Sequence, residues 1–259
     1  MQNKKSTFGS SIEAIIYPVL LLLVMWAMWL VQLELGGSSS SFGVKGQDWS
    51  SWKGIFLMPL LHDPHHIDHI AGNSIPTLVL LGSVIYYYRF VALKLLVTSW
   101  IGVGFLIILF GKPGAFHIGM SGVDYALFAF VAASGLLRNY RPLQGLSLFV
   151  LFIYGSFLWG IFPLVPQMSW EGHLGGLLIG LTFAIYYRKE GPQRPKLRYE
   201  IEKELGIDPP DLEGMWIRRQ EEIERQRLER DMLENQSFNT ENQQQIIYHV
   251  KPKNDENKN

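Results

Sequence analysis

The chain has no cysteine in 259 residues, which excludes disulfide frameworks, thiolate zinc sites and a cysteine nucleophile. It has no excess of basic charge either (23 Lys/Arg against 23 Asp/Glu), so nothing points to a nucleic-acid partner. The more telling scarcity is local. Residues 1–187 hold only 9 of the 23 basic and 7 of the 23 acidic side chains, and the last 72 residues hold the rest. A stretch so poor in charge is too apolar for a water-soluble domain, and the tail is too polar to build a large core. The zero net charge is an average over two unlike segments.

The first segment contains six apolar runs, at 14–33, 67–88, 90–110, 118–137, 145–162 and 172–187. Each approaches the roughly 20 residues that cross a bilayer's hydrocarbon core. A soluble helical core is the plain alternative, but six such runs in succession with almost no charge argue against it. The reading is an all-α membrane protein, a bundle of six transmembrane helices with a charged cytoplasmic tail. Its parts are a cytoplasmic N-terminus (1–13), a membrane core (14–187), a charged helical tail (188–235) and a disordered C-terminus (236–259). Lys4, Lys5, Arg89, Lys94, Arg138, Arg141, Arg188 and Lys189 mark one side, against Lys45, Lys53 and Lys112 on the other. The positive-inside rule then puts both termini in the cytoplasm, and runs two, four and six enter from the outer face. The first run resembles a signal peptide in its flanking lysines, but it is long and lacks a small-residue cleavage site, so it reads as a retained anchor.

Polar residues in membrane helices are costly, and here they cluster. Asp68, His69 and Asn73 lie near the start of run two, Ser121 and Asp124 near the start of run four, and Glu171 and His173 near the start of run six. All three starts face the same leaflet. Gly119-Met120-Ser121-Gly122 opens run four, so Ser121 sits beside helix N–H groups that lack intrahelical partners and favour negative charge. His173 can supply the base that a serine nucleophile requires. Gly172, Gly176 and Gly180 recur every four residues, and Gly122, Ala126, Ala129 and Ala133 form a matching stripe. Facing each other, these stripes would set Ser121 beside His173. His69 and Asn73, four apart on one helix face, offer donors for an oxyanion. Each feature also has a packing explanation, and membrane helices often carry Ser, Asn and His for interhelical bonds.

Taken together, the H-x-x-x-N of run two, the G-x-S-G of run four and the His with small residues in run six resemble the rhomboid intramembrane serine proteases. The resemblance covers roughly residues 14–187. It implies a serine-type endopeptidase that cuts transmembrane segments of protein substrates with a Ser–His dyad, Ser121 as nucleophile and His173 as base. It implies His69 and Asn73 as oxyanion stabilisers, Gly119 and Gly122 as supports, and Tyr125 packed on the catalytic imidazole. It implies no cofactor or metal, and a multi-pass protein of the bacterial cell (inner) membrane whose site opens to the outer face. Residues 34–66, with Trp49 and Trp52, fit the family's large outer loop. Phe157 and Trp159 fit its lateral gate, and 163–170 its cap loop.

Two departures stand out. A further histidine, often found five residues before His69, is Pro64 here, with His62, His65 and His66 crowding the same stretch. Asp124 places a carboxyl on the nucleophile's helix, either orienting an imidazole, facing a wet pocket or held protonated. Glu171 falls opposite His173 and reads as interfacial. His117, four residues before Ser121, is a competing base. The His/Asp stretch from His62 to His69 raises a metal site, although H-E-x-x-H is absent. A transporter would place polar groups nearer the midplane, usually with repeats. The non-enzyme alternative is an inactive rhomboid-like protein that binds membrane clients, a class that typically lacks the serine or the histidine. In the tail, 199–206 and 211–235 read as solvated charged helices, and nothing identifies a partner for them.

Overall fold

Helix α1 (Ser11–Leu35) leaves Ile12, Leu20, Leu23 and Leu30 exposed, which is what an apolar helix does when lipid rather than protein surrounds it. The computed structural model describes residues 10–35, 37–165, 168–207 and 210–246. Three polar bonds, one of them fully buried, help hold α1 to the rest. Trp26 donates its indole N–H to Ser74 Oγ (3.1 Å), Trp29 donates to the Asp63 carbonyl (3.1 Å), and Gln32 accepts from the His62 N–H (2.9 Å).

After α1 come 3-10 turns at Trp49–Phe56 and Met58–Leu60 and a two-residue strand β1 (Val44–Lys45). Helix α2 (Ile67–Pro76) passes through a π-helical turn (Thr77–Leu81) into α3 (Gly82–Tyr87). Pro76 ends α2 just before this turn and removes the one N–H that would bond to the Gly72 carbonyl. Helix α4 (Arg89–Phe110) leads to strand β2 (Phe116–His117), antiparallel to β1 with Val44 opposite His117. Then follow α5 (Ser121–Arg138), α6 (Arg141–Tyr154) with a 3-10 extension over Gly155–Ile161, and α7 (Trp170–Tyr186).

Among the described residues, four stretches are long and apolar enough to cross a membrane: Ser11–Glu34, Ile67–Tyr87, Arg89–Phe110 and Arg141–Ile161. The sequence reading counted six. The other two, α5 and α7, are shorter or more polar, and α5 is the helix wrapped by the rest. Fourteen of the 18 residues of α5 are buried, including Asp124 and Arg138. Enclosure by protein is what lets a helix carry polar groups at membrane depth. The core around α5 is built from Leu127, Phe128, Phe130, Leu80, Leu95 and Tyr88.

Helices α5 and α7 pack through their small residues. A Cβ on Gly176 would fall on the Gly122 carbonyl oxygen, and one on Gly180 on that of Ala126. Any larger residue would wedge the pair apart. At the opposite end from Ser121, Arg138 is buried rather than displayed. It donates to the carbonyls of Ser134 (3.1 Å), Tyr187 (2.6 Å) and Glu190 (3.0 Å), and its guanidinium lies 4.8 Å from the Tyr88 ring centre. It thereby caps the C-terminal carbonyls of α5 and α7. In the sequence Arg138 serves only as a marker of the cytoplasmic side; in the fold its guanidinium is turned inward.

The chain divides into two compact units, up to Pro195 and from Lys196 onward. The second contains α8 (Arg198–Glu204) and α9 (Leu212–Ile246). Helix α9 runs past residue 235, so part of the tail read as disordered is helical; residues 247–259 lie outside the described residues.

Candidate active site

Ser121 is the first residue of α5, and His173 lies one turn into α7. The Gly176–Gly122 approach brings these two helix starts together, and His173 Nε2 sits 2.8 Å from Ser121 Oγ. The other ring nitrogen fixes the tautomer. His173 Nδ1 is 2.9 Å from the Gly160 carbonyl, which can only accept, so Nδ1 carries the proton and Nε2 presents its lone pair to the serine hydroxyl. The Tyr125 ring lies flat on the imidazole, 4.2 Å between centres and 5° between planes. Phe157 stacks beside the same tyrosine at 4.7 Å. Ring, carbonyl and helix packing together leave the imidazole one orientation.

Gly160 belongs to the 3-10 turn that follows α6. A Cβ there would strike the Tyr125 hydroxyl and lie 3.3 Å from His173 Nδ1, so only glycine lets this backbone reach the ring. The apolar run 145–162 predicts a continuous fifth helix, in which nothing marks Gly160 as special; the 3-10 turn is what presents its carbonyl. Phe157 and Trp159, paired in that reading as gate residues, separate: Phe157 packs against Tyr125, Phe128 and Tyr154, while Trp159 is exposed. Of the expected cap loop, Pro166 and Gln167 lie outside the described residues, and Trp170 already belongs to α7.

The donors of α2 reach the same place through Gly119. Its φ of +111° is a left-handed conformation that side chains rarely adopt, and its Cα faces the donors closely. A Cβ there would lie 2.8 Å from His69 Nε2 and 3.4 Å from Asn73 Nδ2. His69 Nδ1 accepts from the Asp63 N–H at 3.4 Å, a long bond that leaves Nε2–H as the donor on the Gly119 side.

Of the crowded histidines, His62 is the one drawn in. It is fully buried, its ring 5.0 Å from that of His69, while His65 and His66 are exposed. His62 Nδ1 lies 3.4 Å from the Leu60 carbonyl, which assigns it the proton and leaves Nε2 to accept from Asn73 Nδ2 at 2.9 Å. Burial, reinforced by the neighbouring His69, pushes the His62 pKa down to about 3, so the ring is neutral near pH 7 and remains an acceptor. Asn73 keeps its second amide hydrogen for another partner.

Three other candidates have partners other than Ser121 and His173. Asp124 is fully buried and accepts from the Thr77 hydroxyl at 2.8 Å, at the π turn of the α2–α3 helix. His117 is bonded to Ser169, 2.6 Å from Nδ1 to Oγ. Asp68 and His66 form an exposed pair 3.9 Å apart, and among the described residues no three His, Asp or Glu side chains converge as a metal-binding group.

The sequence matches the Rhomboid domain family over residues 48–190. The chain belongs to the rhomboid family. The matched stretch includes Ser121, His173, His69, Asn73, Gly160 and strand β2, and leaves out α1 and β1. Uncharacterized proteins of Mycobacterium bovis and of two strains of Mycobacterium tuberculosis are each 33% identical over 180 residues, spanning 64% of this chain and 72% of theirs. Family membership and the apolar helices make this a membrane protein.

Proposed function

We propose that this rhomboid is an intramembrane serine endopeptidase that cleaves transmembrane segments of membrane-protein substrates with a Ser121–His173 dyad. The observation that carries the reading is the oriented pair: Oγ at 2.8 Å from a ring nitrogen whose opposite nitrogen is held by the Gly160 carbonyl. The rhomboid fold with six spans, both termini in the cytoplasm and the site toward the outer leaflet of a bacterial inner membrane is part of the same proposal. Here α5 and α7 count as the fourth and sixth spans.

In this mechanism Ser121 attacks a substrate carbonyl carbon as its hydroxyl proton passes to His173 Nε2. The imidazolium formed is steadied by Nδ1–H···O=C of Gly160, which takes the orienting place a carboxylate holds in a triad. The tetrahedral oxygen becomes negative beside the N-terminus of α5, where unpaired N–H groups and the helix dipole favour it. His69 Nε2–H and the free hydrogen of Asn73 would complete that hole. His173 then returns the proton to the leaving amine, the C–N bond breaks, and water drawn through the same base releases the acyl group. The substrate helix must unwind locally first, because its backbone carbonyls are otherwise hydrogen-bonded. Bilayer lipid and a transmembrane substrate are the partners implied, and the chemistry needs no cofactor.

The presence of both residues, 2.8 Å apart, favours this reading over the inactive, client-binding one. Purified protein reconstituted with a model transmembrane substrate tests the proposal. Wild type is expected to cut it, with Ser121→Ala and His173→Ala reduced by at least about a thousandfold. Equal cleavage by wild type and Ser121→Ala would refute it.

A further inference from the structure

His117 and Ser169 form a second histidine–serine pair whose place in the fold is unusual. Both this bond and the dyad bond join residues 52 apart, so the pairs step in register: His117 is four residues before Ser121 and Ser169 is four before His173. On one side, His117 is fixed by strand pairing, opposite Val44 in β1. On the other, Ser169 is the N-cap of α7, and its carbonyl accepts the His173 N–H at 3.1 Å.

Ser169 does not use its hydroxyl as N-cap serines ordinarily do. No bond runs from it to the first turn of α7; the oxygen turns to His117 at 2.6 Å instead. His117 is 6% exposed, and its Nε2 lies against Gly111 with no hydrogen-bond partner among the described residues. An orphaned N–H is rarer than an unfilled lone pair, so the ring proton belongs on Nδ1, donated to Ser169. Burial lowers the His117 pKa and so favours the neutral ring this tautomer needs, against the smaller opposing pull of the Glu171 carboxylate.

We propose that His117 is a positioning residue for the Ser121–His173 dyad: its bond to Ser169 ties the segment entering the nucleophile's helix to the first turn of the base's helix. The inference rests on the dyad reading above. Ser169 stands in the chain between Gly160, which holds the His173 ring, and His173 itself. Without the tie, no other hydrogen bond among the described residues joins Ser169 to strand β2, and the base loses registry with the serine.

The test uses the full-length protein with His117→Phe, which keeps an aromatic ring but no bond, His117→Asn, whose amide nitrogen falls near the position of Nδ1, and Ser169→Ala, the mildest change. Cleavage of a model transmembrane substrate, fluorophosphonate labelling rate and thermal unfolding in detergent are measured for each. His117→Phe and Ser169→Ala are expected to lower kcat by about tenfold with KM within about twofold, as loss of alignment rather than of binding requires. The double variant should be no worse than either single one, because both remove the same bond. His117→Asn should recover most of the rate. Unchanged kcat in Ser169→Ala, or an Asn variant no better than Phe, would overturn the tie while Ser121→Ala and His173→Ala controls still report an intact dyad. Labelling of Ser169 in the Ser121→Ala protein would also overturn it, by making Ser169 a nucleophile in its own right. If wild type neither cleaves nor labels, the dyad reading fails and the tie with it.

Discussion

Gly176→Ala is the substitution whose consequence follows most directly from the packing. The added methyl would fall on the Gly122 carbonyl oxygen and 3.2 Å from Tyr125 Cβ. A carbon and a carbonyl oxygen need about 3.3 Å even in a close C–H···O contact, so the helices must part by about 1 Å. Gly176 is three residues beyond His173 and Gly122 is next to Ser121, so the opening is delivered to the dyad. The 2.8 Å bond then stretches beyond hydrogen-bond range. A misplacement of about 1 Å is expected to cost about a hundredfold in rate, or about 2.7 kcal/mol in the barrier. Overpacking would take about 1–3 kcal/mol from stability as well. Two controls separate this from any generic effect of alanine, because a Cβ on Gly72 or Gly145 meets nothing within 4 Å. Gly72→Ala is the sharper of the two, since it shares α2 with His69 and Asn73. Both controls should hold wild-type activity and gain about 0.5–1 kcal/mol of helix stability. Single-turnover cleavage in proteoliposomes, paired with thermal unfolding in detergent, reads both quantities. Wild-type turnover by Gly176→Ala would refute the claim that this close approach sets the dyad.

Three further outcomes are expected. His62 takes up a proton near its ordinary value of 6.5 when unfolded but resists protonation to about pH 3 when folded. The stability it contributes is therefore complete above about pH 6.5 and is lost as pH falls from there toward 3. The melting temperature should drop between pH 7 and pH 5, and His62→Gln, which keeps an acceptor for Asn73, should flatten that drop. Arg138→Leu leaves the carbonyls of Tyr187 and Glu190 short of donors and should cost about 2–4 kcal/mol, with lysine a poor replacement because it lacks the planar fork. Asp124→Leu should melt no lower than wild type, since it removes a buried carboxyl with one unpartnered oxygen and lets Thr77 bond back to its own helix.

The residues most legible in the sequence were those that break an apolar background. Ser121, His173, His69 and Asn73 stand out because a membrane helix carries such groups only for a reason. The four-residue glycine spacing then predicted which helix faces meet, and Gly176 and Gly180 do lie against α5. The parts that were not legible depend on backbone rather than side chain. Gly160 contributes a carbonyl, which every residue has, and the change from α6 to a 3-10 turn that presents it leaves no apolar periodicity to read. The π turn after Pro76 and its contact with Asp124 are hidden for the same reason. His62, His65 and His66 share one loop and one chemistry, and only tertiary packing sends His62 inward. Arg138 counted as a topological marker because sequence alone does not show the carbonyls gathered around it.

The central claim is that Ser121 is made nucleophilic by His173, and mapping the covalent adduct of a fluorophosphonate on the full-length protein tests it most directly. Mass spectrometry of proteolysed wild-type protein should find the phosphonyl group on Ser121 alone. The adduct should be absent in Ser121→Ala and form far more slowly in His173→Ala, with fold and stability retained in both. An adduct on another serine, or equal labelling rates with and without His173, would contradict the account.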